Sequence, residues 1–113
     1  MRLIDVIPYD SVYLSDSNPY PITMVSQQEI DNHNIHNWNF VRENPDLVLK
    51  SAHDVLAQAK EMNYEKGIAW AEGNIGAAHI WTFNYEEALE YTASARERLR
   101  AIGDFDHEAD LLY

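Results

Sequence analysis

The sequence of 113 residues repeats itself at a separation of 40, and this periodicity restricts the chain more than any other feature. Moved by 40 positions, Asn44-Pro45-Asp46-Leu47-Val48-Leu49 falls on Asn84-Tyr85-Glu86-Glu87-Ala88-Leu89. The same shift places Met62 on Ile102, Tyr64-Glu65-Lys66 on Asp104-Phe105-Asp106, Ala69 on Ala109, Asn34-Ile35 on Asn74-Ile75, and Phe40 on Ile80. One shift aligns helix starts, apolar positions and connections together. Such a chain is read as a supersecondary unit used more than once. Each unit is too small to bury its own apolar face and must stack on its neighbour.

The unit is helical. Ser26-Gln27-Gln28-Glu29 has the form of a capping box, in which the serine accepts from the N3 amide and the glutamate reaches back. Asn44-Pro45 places a capping side chain before a proline at N1, where its missing amide has no partner to lose. Asn84 precedes Tyr85-Glu86-Glu87 as a third cap, with glutamate at N3, and Gly103-Asp104 reads as a helix stop followed by a new cap. These signals predict helices at about 27–42, 45–61, 65–81, 85–101 and from 105 onward. Leu49, Ala52, Leu56 and Ala59 form one face of the second, and Ala88, Leu89, Thr92, Ala95 and Leu99 one face of the fourth. The connections are so short that consecutive helices are antiparallel neighbours. Gly73, Gly76, Ala77 and Ala78 make the third helix slim, facing Ala88 and Ala95 of the fourth. Glycine inside a helix costs about 1 kcal/mol against alanine, so close packing is the expected compensation.

Residues 26–113 are therefore expected to be one all-α domain. Residues 1–25 read as an irregular arm, with Pro8, Pro19 and Pro21 and short alternating pieces at Ile4-Asp5-Val6-Ile7 and Val12-Tyr13-Leu14. The apolar, uncapped ending Glu108-Ala109-Asp110-Leu111-Leu112-Tyr113 reads as a helix cut from a longer protein.

Nineteen Asp and Glu against eight Lys and Arg give a formal charge of -11, which repels phosphate backbones and anionic lipid. Nucleic acid and membrane are accordingly not expected as partners. The absence of cysteine removes disulfides, thiolate metal sites and thiol catalysis. The start of the chain lacks the apolar run of a secretory signal, and a cytoplasmic location is expected.

Asn74-Ile75-Gly76, followed by Ala88 and Ala95, resembles the Leu-Gly, Ala, Ala skeleton of the tetratricopeptide repeat. Asn63 to Ala69 and Asn84 to Leu89 resemble its longer-period variety, found in the sensory parts of bacterial signalling proteins. The resemblance spans roughly residues 27–113 and implies helical hairpins stacked as a short right-handed solenoid. The sequence departs from the motif at Glu72, His79 and Thr92, where aromatics are usual, and at Arg100 in place of the closing proline.

No seat for catalysis is visible, and neither cofactor nor metal is expected. His33 and His36 lie near Glu29 and Asp31 without a third ligand from elsewhere, and Glu86-Glu87 is explained by the dipole of a first helical turn. Trp38, Trp70 and Trp81 read as core or hairpin-packing residues. The resemblance implies that the first helix of each hairpin lines a groove. Ile30, His33, Asn34, Asn37 and Phe40 would line it in one unit, and Trp70, Gly73, Asn74, Ala77 and Ile80 in the next. Asn34 and Asn74 either clamp the backbone of a bound peptide or pack between helices. The expected function is capture of a peptide or helix within a signalling protein. The alternatives are a homodimerisation scaffold, joined through Leu111, Leu112, Tyr113 and the arm, and a small-molecule pocket at Trp70 and Trp81.

Overall fold

The computed structural model describes residues 25–111, so the expected arm (except Val25), Leu112 and Tyr113 lie outside the described residues. Five helices follow one another: α1 Gln27–Phe40, α2 Pro45–Glu61, α3 Glu65–Trp81, α4 Tyr85–Ile102 and α5 Phe105–Asp110. The described residues are all-α, as expected, and α1 ends two residues earlier than its sequence pattern implied. Helix starts at 45, 65, 85 and 105 expose a 20-residue spacing beneath the 40-residue repeat.

Local chemistry sets most of the boundaries. The Glu29 amide donates to Ser26 Oγ (3.1 Å) and the Ser26 amide donates to Glu29 Oε1 (2.9 Å), completing the capping box. Asn44 Oδ1 accepts from the Leu47 amide (3.3 Å), and Asp104 Oδ1 accepts from the His107 amide (3.2 Å). Asn84 differs from expectation. It stands at the start of α4 without a side-chain cap, because its amide donates to Thr82 Oγ1 at 3.1 Å instead.

The three turns that follow α2, α3 and α4 are copies of one another. The amides of Tyr64, Asn84 and Asp104 donate to the carbonyls of Ala59, His79 and Leu99 at 2.8–2.9 Å. One residue earlier, Asn63, Phe83 and Gly103 adopt φ of 53°, 67° and 83°. This is a helix stop closed by a left-handed residue. Glycine enters that region freely, asparagine tolerates it, and a phenylalanine pays a steric penalty.

Helix α3 is the centre of the fold and packs against α1, α2 and α4. Gly67 to Ala69 and Ala71 to Ala78 are buried, so this helix is covered nearly all round. Ile68, Ala71 and Ile75 join Ile30, Ala52, Val55, Leu56 and Ala59 in one cluster, while Ala69, Ala95, Leu99 and Leu111 form another on the opposite side. Val25, the last residue of the expected arm, packs against the first of these. A Cβ at Gly76 would lie 2.6 Å from Thr92 Oγ1 and 3.1 Å from the Thr92 backbone nitrogen, so α3 and α4 approach closely where the sequence had placed small residues. The buried carboxylate of Glu72 is held by Ser94 Oγ (2.7 Å) and Arg98 Nε (3.1 Å), both donors from α4.

Two substitutions test these assignments by urea unfolding. Phe83→Gly relieves a left-handed aromatic and is expected to stabilise the chain by about 1 kcal/mol. Gly76→Ala recovers helix propensity but overpacks the α3–α4 contact, and is expected to destabilise it by about 1–2 kcal/mol.

Candidate partner-binding site

The ten residues assigned to a groove by sequence are not brought together on one open surface: Phe40 is exposed, Ile80 half-buried and Gly73 buried. Ile30, Asn34, Asn37, Asn74 and Ala77 are buried, His33 is exposed, and Trp70 is half-buried. The asparagines pack between helices. Asn34 Nδ2 donates to the Gly67 carbonyl at 3.2 Å, and Asn74 Nδ2 donates to the Asn34 carbonyl at 3.0 Å. Asn37 Nδ2 donates to Ser51 Oγ at 3.1 Å. Ile30 reaches so close to Gly67 that a Cβ there would meet its Cγ2 at 2.7 Å. The α1–α3 approach therefore closes over the positions that a peptide would need.

Trp70 anchors α5. Its ring stacks on His107 with centroids 3.5 Å apart and planes 5° from parallel, and its Nε1 donates to Asp104 Oδ2 at 3.1 Å. Trp38 meets the same imidazole edge-on at 4.8 Å. Leu111, weighed in the sequence as part of a homodimerisation surface, is buried against the Gly73 side of α3. Arg100 bonds Glu108 through Nε (2.9 Å) and Nη2 (2.5 Å), tying α5 back to α4. Burial pushes the His107 pKa below its ordinary value of 6.5, against the opposing pull of Asp104 and Asp110.

An open cavity of about 450 Å³ lies where the C-terminal ends of α1 and α3 meet the end of α5. Trp38, Arg42, Ala77, Trp81 and Asp110 line it, with Asn39, Val41 and Glu43. Ala77 is the one expected groove residue on its wall. Trp81, expected in the core or between hairpins, is 45% exposed, and the Arg42 guanidinium carbon sits 5.7 Å from its ring centroid. That is cation–π distance, between two side chains that both remain open to an incoming group. Sequence reading weighed Trp70 and Trp81 together as pocket residues. The structure separates them, because His107 and Asp104 engage Trp70. Arg42 and Asp110 were missed, and only their nearness to a tryptophan in space marks them out.

Tyr64 belongs to a separate support at the opposite end of α3. Its hydroxyl donates to both Asp31 oxygens, at 2.8 and 3.0 Å. Burial, with this bond and the Asp31 charge, pushes its pKa up to about 12. Among the described residues no group of three His, Asp or Glu side chains converges to hold a metal, and no helix is long and apolar enough to cross a membrane. Comparison with family models, curated proteins and solved structures finds no match to this chain.

The His107 shift sets a pH dependence with a definite sign. The unfolded chain protonates this imidazole near 6.5 and the folded chain only at lower pH. Its stabilising contribution is thus complete above 6.5 and lost as pH falls below it. Urea midpoints at pH 7.5 and 5.5 should differ more for the parent chain than for His107→Phe, which keeps an aromatic plane without the proton.

Proposed function

We propose that this chain is a tetratricopeptide-like protein-interaction module, part of a cytoplasmic signalling protein, which captures a segment of a partner protein. The observation that carries this reading is the cavity lined by Trp38, Trp81, Arg42 and Asp110. It combines two indole surfaces with a cation and two carboxylates, Glu43 and Asp110, a composition suited to anchoring one side chain of a peptide while orienting its polar groups. The 40-residue repeat and the copied turns support the solenoid part of the reading. The buried asparagines move the proposed contact from the sequence-derived groove to the helix ends, where α1 and α3 leave apolar surface open.

The test is a random peptide library displayed against the whole chain. Selected peptides are expected to lose at least about tenfold in affinity on Trp81→Ala, as for a truncated aromatic anchor, and less on Arg42→Ala. Both side chains are exposed, so neither change should unfold the protein. Binders indifferent to both substitutions would remove the cavity as the working surface.

A further inference from the structure

His107 is not on the wall of the cavity at Trp38 and Trp81, yet it touches two residues that are. Trp38 meets its imidazole edge-on, with ring centroids 4.8 Å apart, and Asp110 Oδ2 stands 3.6 Å from its Nδ1. Both of these side chains line the cavity. The stack on Trp70 covers one face of the same imidazole. Trp38 comes from α1, Trp70 from α3 and Asp110 from α5. A single ring therefore sets the spacing of three helices beside the cavity.

That ring has no place for a second proton. His107 is 3% exposed. The Asp110 carboxylate assigns the proton of the neutral imidazole to Nδ1, so the next proton goes to Nε2. Nε2 is buried and has no hydrogen-bond partner among the described residues. An N–H there would be a charged donor without an acceptor, which is costly in the interior. The charged groups acting on the ring are Asp104 and Asp110, at the start and end of α5, and both favour the proton. Trp38 and Trp70 present rings from α1 and α3, and Arg100 of α4 is engaged by Glu108. Burial outweighs the two carboxylates.

We propose that His107 is a positioning residue that gates the cavity by pH. The neutral imidazole holds Trp38 and Asp110 in the wall, and protonation at Nε2 drives the ring from its stack and dismantles that wall. The inference rests on the reading of this cavity as the working surface. A partner segment is held at neutral pH and released in mild acid. The sign follows from the buried ring. The wall is complete above 6.5 and is lost as pH falls below it, through the value at which folded His107 takes its proton.

The first test needs no partner. The indole N–H resonances of Trp38, Trp70 and Trp81 are followed by NMR on the full chain from pH 7.5 to 5.0. Trp81 is the informative one, because its ring faces Arg42 and not His107. All three are expected to shift with one midpoint below 6.5 that is absent from a non-titrating variant. Helical circular dichroism selects His107→Phe or His107→Gln as that variant. A Trp81 signal that stays put, or that moves equally in the variant, overturns the proposal. So does movement of the α2 amides with the same midpoint, which would be global unfolding. The second test uses a library-selected peptide that depends on Trp81 and contains no His, Asp or Glu. Its affinity should fall at least about fivefold from pH 7.5 to 5.5 for the parent and less than about twofold for the variant. An equal loss in both overturns the gate. If no Trp81-dependent peptide is found, the binding reading fails, and the indole titration alone decides whether His107 moves the wall.

Discussion

The distance at which α3 can lie from α1 and α4 governs this fold. Gly67 admits the Ile30 methyl and the Tyr64 ring, and Gly76 admits the Thr92 backbone and hydroxyl. A side chain at either position would push a neighbouring helix outward. Close approach then brings buried polar groups within reach of one another, and the Asn34 and Asn74 amides bond across the α1–α3 contact. Such bonds fix register as well as energy, since a sliding helix would leave both amides unsatisfied. Glu72 follows the same logic on the α4 side, its charge met by Arg98 and Ser94.

What the sequence made legible was local. Ser26 with Glu29, Asn44 with Pro45, and Gly103 with Asp104 declare helix ends through residues within one turn of each other, and the helices begin where those signals place them. Asn84 misled because its competitor, the Thr82 hydroxyl, lies only two residues away and offers an equally local bond. The 20-residue spacing was hidden for a related reason. The turn at Phe83 copies the one at Gly103 but carries an aromatic in the left-handed position, so composition gives no hint of the shared backbone.

The site was less legible because it depends on contacts between units. Asn34 and Asn74 were correctly seen as equivalent positions. Whether they faced a ligand or a helix was decided by Gly67, 33 residues from Asn34, which lets α3 close over them. Trp70 and Trp81 share a helix and were weighed alike. Their different fates were set by Asp104 and His107, which engage one and leave the other open. Helical periodicity put Leu89 on the apolar face of α4, as it did Leu49 on α2. It carries no information about what covers each face: Leu49 packs against the core and Leu89 is exposed.

Helix α5 spans six residues, well short of the length at which a helix persists on its own in water. Its order is borrowed from side chains outside it: the indole of Trp70, the edge of Trp38 and the guanidinium of Arg100. The five-helix stack therefore has unequal local stability along its length. Amide protons of α5 should open to solvent as a single cooperative unit, through loss of the indole–imidazole stack, while those of α3 exchange only when the whole structure unfolds. Within the described residues, α5 is joined to the rest by aromatic faces, by the Arg100–Glu108 ion pair and, through its C-cap, by the buried side chain of Leu111.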